Sequence, residues 1–382
     1  MNSMKKIIII GAGISGMAFA ILAKRKGFQV SMYERASCIS SIGAGVTLWP
    51  NAMFVLDKMG LSKTIECAGG APKFTRQYDK DGIQQSELDI EAINRLSNAP
   101  CVTIFRRDLL AILAEALEKI EVKIHFNHAI TEQDIDRLKQ DADLVVGCDG
   151  RMNSPVRKYL YTDKVLPKYQ GFINIVGISQ LKTDTLDHAI QDYRFNDHET
   201  KQERFGIVPV KNNQCFWAAA WRTEMDKERP LSDWYREMHQ RFQLWPENIR
   251  NVLSSYDKPS LNRIFVHDLD PLPYWHKDNV VMIGDAAHAA LPTSGQGACQ
   301  ALEDAWHLAQ TLETECVQKR EIDLDSKLNT FFQKRIAKTT STQTIGRQLA
   351  RQIFDMNTEP TLNHKAISVN QLTQLWMQGL EV

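Results

Sequence analysis

Residues 5–16 read "KKIIIIGAGISG", and the fold turns on how that stretch is taken. Ile7 to Ile10 form an unbroken β-branched run with no polar alternation. A strand buried on both faces of a parallel sheet needs that pattern. Gly11, Gly13 and Gly16 then complete G-x-G-x-x-G. The first lets the chain turn, the second lets a pyrophosphate approach backbone N–H groups, and the third packs helix on strand. A helix over about Ser15 to Gly27 would bury Met17, Ala18, Ile21 and Leu22. The run "QVSMY" (29–33) reads as the next strand and ends at Glu34. A carboxylate there, about 20 residues past the turn, can accept hydrogen bonds from a ribose 2′-OH and repels a 2′-phosphate. The resident dinucleotide is therefore NAD or FAD rather than NADP, and this motif alone does not separate those two.

A second stretch, "VVMIGDAAHAALPTSGQGACQALEDA" (280–305), repeats the strand-to-glycine-to-helix pattern far down the chain. Asn279 to Ile283 reads as a short buried strand, with Gly284 and Asp285 at its carboxyl end, where open α/β sheets bind ligands. Ala301, Leu302, Ala305, Leu308 and Leu312 recur at helical spacing, which starts a helix near Gly295. Its unpaired N–H groups and positive dipole end suit the pyrimidine side of a reduced isoalloxazine, which carries negative charge. Asp285 suits the ribityl hydroxyls. Between the two stretches, "ADLVVGCDGRMNSPVR" (142–157) supplies a third buried strand, Leu144 to Gly147, ending in Asp149-Gly150. One turn for the pyrophosphate and another for the flavin make FAD the better reading.

Composition narrows the function further. The 382 residues carry 46 Lys plus Arg and 46 Asp plus Glu, a balance with no basic footprint for nucleic acid or stable membrane association. No apolar run reaches the roughly 18–20 residues of a membrane span. The apolar start reads as strand–turn–helix rather than a signal peptide. The seven cysteines lie 17 or more residues apart without a CxxC, which argues against a metal knuckle or disulfide framework and for a reduced, cytoplasmic protein.

The three motifs in this order resemble the single-component FAD-dependent aromatic hydroxylases, the group A flavoprotein monooxygenases with the p-hydroxybenzoate-hydroxylase-like fold. The likeness extends to "GAGVTLWPNAMFVLDKMGL" (43–61) and "FRRDLLAIL" (105–113). "YQGFINIVG" (169–177), "RFGIVPV" (204–210) and "NRIFVHDLDPL" (262–272) look most like the branch of the FAD-dependent urate hydroxylase and zeaxanthin epoxidase. The resemblance implies an α/β fold: a Rossmann-like FAD-binding domain, an inserted antiparallel β-sheet substrate domain, and C-terminal helices. The expected division is 4–72, 102–168 and 262–348 for FAD, 73–101 and 169–261 for substrate, and 349–382 for a C-terminal helical segment.

It also implies residue roles. Gly11, Gly13, Ile14, Ser15 and Gly16 would hold the pyrophosphate, with Glu34 and Arg35 at the adenosine end. Arg106 would reach the pyrophosphate or ribityl chain, and Gly284 and Asp285 the ribityl. Gly295, Gln296, Gly297 and Ala298 would lie under the pyrimidine, with Gly45 and Val46 beside the ring. Pro292 would sit over the flavin face near C4a. Asp149 and Gly150 belong to the motif tied to both FAD and NAD(P)H. Arg204 matches an arginine that contacts substrate and flavin in the urate enzyme. No metal site is expected.

The implied reaction uses NADH or NADPH as a transient co-substrate and O2. It places a hydroxyl on a small aromatic or polycyclic substrate through a flavin C4a-hydroperoxide. Phe216 and Thr293 stand where the urate enzyme has a tyrosine and an aspartate, which argues against urate. The region 169–261 reads as an antiparallel sheet rich in aromatics. Phe172, Phe205, Phe216, Trp217 and Trp221 are expected as a set to line an apolar pocket. Period 2 puts Phe216 and Trp217 on opposite faces, so both cannot touch substrate, and Phe216 is the favoured one. A charged helix is expected in 127–146 in place of the customary β-hairpin. The C-terminal Leu372, Leu375, Trp376 and Leu380 share a helical face suited to packing across the domains. A monomer or homodimer is expected. A tetracycline-inactivating or other xenobiotic-modifying monooxygenase, or a non-catalytic flavin-binding protein, is the alternative.

Overall fold

The computed structural model describes residues 6–39, 43–162, 164–182, 186–197, 202–313, 323–354 and 368–380. The isoleucine run is β1 (Lys6–Ile10), fully buried after Lys6. It lies central in a six-stranded sheet of order β14-β15-β8-β1-β2-β7. The other strands are β2 (Gln29–Tyr33), β7 (Ile124–His125), β8 (Leu144–Gly147), β14 (His276–Lys277) and β15 (Val280–Met282). All pairings are parallel except the edge hairpin β14–β15.

Helix α1 (Ile14–Arg25) follows the glycine turn and is buried along its first ten residues. It is apolar all round because it is covered on two sides, by the sheet and by α6 (Gly297–Glu313). The expected helix in 127–146 is present at Ile135–Asp141, preceded by a capping box between Thr131 and Asp134.

The second sheet has seven strands in the order β13-β9-β12-β11-β10-β4-β5. They are β4 (Phe74–Asp79), β5 (Gln84–Asp89), β9 (Lys168–Gln180), β10 (Ala189–Asn196), β11 (Gln202–Pro209), β12 (Gln214–Arg222) and β13 (Asn262–Asp268). One face is covered by α4 (Leu231–Phe242) and α5 (Glu247–Ser254), which close a core around Trp217, Trp221, Trp234 and Phe242. The opposite face looks toward the first sheet.

Three expectations need correction. The sheet is mixed, not antiparallel, because the β4–β5 hairpin joins it through a parallel β4–β10 pair. Residues 262–268, expected with the FAD-binding part, are strand β13, paired antiparallel to β9. No break falls at residue 348, because α7 (Leu324–Phe354) runs through it as one helix of 31 residues.

A small ribbon of β3 (Gly45–Leu48) and β6 (Val102–Phe105), the latter leading into α3 (Arg106–Lys119), lies between the two sheets. Helix α8 (Val369–Met377) buries Trp376, with Leu372 and Leu375 packed against the main core.

Candidate cofactor crevice and substrate chamber

The first glycine turn is built by close approach. A Cβ on Gly11 (φ +103°) would lie 2.3 Å from the Cys148 carbonyl oxygen, and one on Gly16 would lie 2.1 Å from the Gly11 carbonyl oxygen. Gly13 differs: its backbone is extended and a Cβ there meets no protein atom within 4 Å. Among the described residues nothing requires a glycine at that position, and the space faces the start of α1, which has no side-chain cap. Ile14 and Ser15 open this helix, so its N-terminal amide groups lack intrahelical acceptors.

Glu34 reaches back to this turn. Its Oε2 accepts the Ala12 N–H at 2.8 Å and its Oε1 the Ala36 N–H at 2.9 Å. Each carboxylate oxygen carries two lone pairs, so one remains on each for a ligand. Arg35 beside it is exposed.

The two glycine turns meet physically. Gly284 has φ +64°, and a Cβ there would fall 2.8 Å from Ser15 Oγ. Glu34 and Asp285 both stand at carboxyl ends of parallel strands, with β8 and β1 between β15 and β2. Three strand spacings put them about 14 Å apart along one edge, a span that suits an extended dinucleotide. Asp285 is approached by Arg151 Nε at 3.5 Å.

Arg106, at the start of α3, buries its Nε with no hydrogen-bond partner among the described residues. Burial lowers its pKa from the usual guanidinium value, with Asp285 opposing that shift. Trp49 Nε1 and Gln296 Nε2 are likewise buried and unpartnered, and Trp49 Nε1 would be 3.4 Å from a Cβ on Gly295. Pro292 and Gly295 are exposed, Gly297 and Ala298 half-buried, and a Cβ on Gly297 would meet nothing. Val46 is half-buried on β3 beside this turn. Open space at Gly13 and Gly297 together with orphaned donors on Arg106 and Trp49 is a lining that FAD fits.

The Asp149-Gly150 turn follows the carboxyl end of β8. Asp149 Oδ2 accepts the Val156 N–H at 3.1 Å, and burial pushes its carboxyl up to about 6. Arg157, 2% exposed, donates to the carbonyls of Ala286 (3.0 Å) and Arg151 (2.5 Å), stapling this turn to the Gly284-Asp285 turn.

Sequence reasoning missed the polar core beneath the flavin turn. Asp304 accepts the Gly284 N–H (2.8 Å), His288 Nε2 (2.5 Å) and Arg335 Nε (2.7 Å). Burial alone would raise the Asp304 carboxyl, but His288 and Arg335 hold it well below the ordinary carboxylate range. Glu303 accepts from Asn51 (2.7 Å), Arg335 (2.6 Å) and Lys338 (2.9 Å), while Asn51 also donates to Gln296 Oε1 (2.8 Å). Lys338 in turn donates to the carbonyls of Trp376 and Gln378, and Trp376 packs on Trp49 with ring centroids 4.3 Å apart. The available signal was the acidic pair Glu303-Asp304 between the apolar positions Ala301, Leu302 and Ala305 of one helix.

On the second sheet, period 2 divides β12. Phe216, Ala218 and Ala220 face the first sheet, whereas Trp217, Ala219 and Trp221 pack into the helix-covered core with Phe205. Phe172 stacks on Phe354 at 4.2 Å. The aromatic set expected to line one pocket therefore does not: of its five members only Phe216 reaches the ribbon. Its ring lies against the backbone of Gly45, where a Cβ would come within 2.1 Å of it. It packs against an apolar cluster of Ala44, Phe105, Val176 and Ile178 on the face of the sheet that meets the ribbon. Arg204, opposite Ala220, donates through Nε to Asp192 Oδ1 (2.5 Å), and Arg194 Nε donates to Oδ2 (2.8 Å). Asp192 is buried, which raises its carboxyl, but the two arginines more than reverse this.

The sequence profile of the FAD binding domain family matches residues 4–326. The aurachin C monooxygenase/isomerase of Stigmatella aurantiaca is 29% identical over 318 residues, covering 81% of each chain. The 6-hydroxynicotinate 3-monooxygenase of Pseudomonas fluorescens is 28% identical over 346 residues, covering 84% of this chain and 86% of that protein. The crystal structure of Klebsiella pneumoniae HpxO with FAD and uric acid superposes with a TM-score of 0.78 at 19% identity, covering 98% of this chain and 93% of that one.

Proposed function

The chain belongs to the FAD-binding-domain family and is an FAD-dependent monooxygenase, and we propose that it uses NAD(P)H and O2 to hydroxylate a small, planar aromatic or heterocyclic compound. When bound, the flavin supplies the chemistry that takes two electrons from NAD(P)H and activates O2. The amides opening α1 at Gly13 to Gly16 hold the pyrophosphate, Glu34 the adenosine ribose and Asp285 the ribityl chain. Arg106 supplies positive charge to the same chain. Gly295 to Ala298 present the N-terminus of α6 to the pyrimidine, and Val46 and Pro292 flank the ring.

The seven-stranded sheet serves as the substrate domain. The apolar cluster of Ala44, Phe105, Val176 and Ile178, with Phe216 packed on it, gives this sheet a dry face on which the reacting carbon is kept from water. Arg204, fixed by Asp192, orients a polar edge of the substrate. Polar recognition is sparse: Phe216 offers no hydrogen bond, and Thr293 Oγ1 is already committed to the Gly346 carbonyl at 2.6 Å. A ring less polar than urate suits this lining. The names of two relatives, an aurachin C monooxygenase/isomerase and a 6-hydroxynicotinate 3-monooxygenase, support an aromatic or heterocyclic substrate. The cytoplasm, where NAD(P)H is available, is the proposed setting; among the described residues no helix is long and apolar enough to cross a membrane.

The contact of Ser15 with Gly284, flanked by open space at Gly13 and Gly297, carries this reading. Its test is a substrate screen with FAD-loaded protein, following NAD(P)H oxidation and product mass. Stimulation by an aromatic compound that gains one oxygen atom is expected. FAD binding with no compound accelerating NAD(P)H oxidation would reject catalysis in favour of flavin binding alone.

A further inference from the structure

On the face of the seven-stranded sheet that looks toward the first sheet, strand β12 meets the flavin turns at two points. Phe216 lies on the Gly45 backbone, beside Val46, and Ala220 packs with Leu291, next to Pro292. Between these supports the floor is made of small residues. Ala218 on β12 and Gly206 on β11 stand opposite each other, both half-buried, and a Cβ on Gly206 would meet no protein atom within 4 Å. A flat ring laid on that floor lies between the two turns proposed to flank the flavin.

Charge is gathered at one edge of this floor. Asp192 is the β10 partner of Gly206, and Arg194 and Arg204 stand opposite each other in the next row. Asp192, 6% exposed, accepts from both arginines, so two guanidinium groups share one carboxylate and the cluster keeps a net positive charge. Arg194 directs Nε and Nη2 at Asp192, whereas Arg204 uses Nε and keeps both terminal nitrogens without an acceptor among the described residues. Both side chains remain about a quarter exposed, so a ligand can reach them. Neighbouring carboxylates do not complete the balance. Asp79, beside Arg194 on β4, is committed to the β4–β5 turn through Gln85 and the Asp81 and Ile83 amides. Helix α7, which packs on β10 and β11, carries no Asp or Glu after Asp325. Across Ala220 from Arg204, Asn174 is nine-tenths buried, and its side chain makes no hydrogen bond among the described residues.

We propose that the substrate is an aromatic acid whose ring rests on Gly206 and Ala218 and whose carboxylate docks on the terminal nitrogens of Arg204. The proposal deepens, and rests on, the reading that this face receives the substrate. A guanidinium edge with two unused nitrogens matches the paired oxygens of a carboxylate. A surplus positive charge in a partly desolvated site favours an anion over its neutral isostere. Val176 and Phe216, on other sides of the floor, offer no polar side-chain atom, so the acid belongs on one edge of an otherwise apolar ring. Arg194 is a positioning residue. It shares Asp192 and thereby leaves Arg204 uncompensated.

The test titrates FAD-loaded full-length protein with matched pairs, hydroxybenzoates and hydroxypyridine carboxylates against their primary amides, and reads Kd from the perturbed flavin absorbance. Wild type should bind at least one acid roughly tenfold or more tightly than its amide. Arg194→Gln leaves Asp192 and Arg204 as a neutral pair, so the acid should lose about tenfold while the amide Kd stays within about twofold. Arg204→Gln should abolish the preference and Arg204→Lys should restore part of it. Gly206→Val fills the floor and should weaken acid and amide alike. In each variant FAD affinity and the denaturation midpoint should match wild type, as in the exposed control Arg95→Ala. If wild type binds acids and amides equally, the acid assignment fails while the aromatic reading stands. A preference that survives both Arg194→Gln and Arg204→Gln places the acid elsewhere and overturns the proposal. If neither member of any pair binds, the acid assignment and the reading of this face as the substrate face fail together.

Discussion

Replacing Gly13 by alanine separates a ligand requirement from a folding requirement at the first turn. The Gly13 backbone is extended (φ −82°, ψ −173°), so alanine adopts it without strain. Its Cβ would meet no protein atom within 4 Å. Apo stability should therefore change by less than about 1 kcal/mol, a small N-cap loss offset by the reduced entropy of the unfolded chain. The methyl group instead occupies the space in which a pyrophosphate would approach the amides of α1. Losing two charge-assisted hydrogen bonds at about 1.5 kcal/mol each gives about 3 kcal/mol, or roughly 150-fold in FAD dissociation constant. Quenching of flavin fluorescence on titration measures the affinity, and thermal denaturation of apoprotein measures the fold. Gly16→Ala is the companion, since its Cβ would sit 2.1 Å from the Gly11 carbonyl oxygen and should cost about 1–3 kcal/mol in the apoprotein itself. A Gly13→Ala protein that binds FAD within about threefold of wild type would refute the placement of the pyrophosphate at this turn.

The Asp149 carboxyl, raised to about 6 in the folded apoprotein against about 3.9 unfolded, favours folding fully only below about pH 4, and that contribution is lost as pH rises through 6. Asp149→Asn should thus raise apo stability by on the order of 1–3 kcal/mol at pH 7.5 and leave it unchanged at pH 4, read from denaturation midpoints at the two pH values. Arg335→Met removes the guanidinium that bridges the buried Glu303 and Asp304, leaving Glu303 to Asn51 and Lys338 and Asp304 to His288 and the Gly284 N–H, and should cost about 3–5 kcal/mol. FAD affinity should fall as the Asp304 anchor of the Gly284 turn loosens; denaturant titration checks the first and flavin titration the second. Trp217→Ala and Phe216→Ala should divide by face. The first should cost about 3–5 kcal/mol in stability with substrate KM little changed, and the second should change KM with a smaller stability loss.

The nucleotide-binding half was legible because its signals are local. An apolar run without alternation, glycines at fixed offsets and an acid at a strand end each have one physical cause, and β1, β2 and β8 lie where those cues put them. The substrate sheet was less so. Strand β10 (Ala189–Asn196) mixes Gln, Asp and Arg with apolar residues because its Asp192 accepts from both Arg194 and Arg204 on the inner face, which hides the alternation. The parallel β4–β10 pair joins segments more than a hundred residues apart, and no local cue marks such a pairing. Glu303, Asp304, Arg335 and Lys338 have the composition of a solvated helix face, and only their mutual neutralisation makes burial tolerable. Among the aromatics, strand period rather than aromatic content sorts the rings, with Phe216 toward the ribbon and Phe205, Trp217 and Trp221 in the helix-covered core.

Ser15 touches Gly284, 269 positions later in the chain. While the polypeptide is being synthesised, the N-terminal turn emerges early, but the wall that completes its cavity is made only after three-quarters of the protein has left the ribosome. The β-rich middle section must therefore leave room for β15 to slot in beside β8. Cofactor capture becomes a late event, governed by this long-range docking rather than by the first motif to appear.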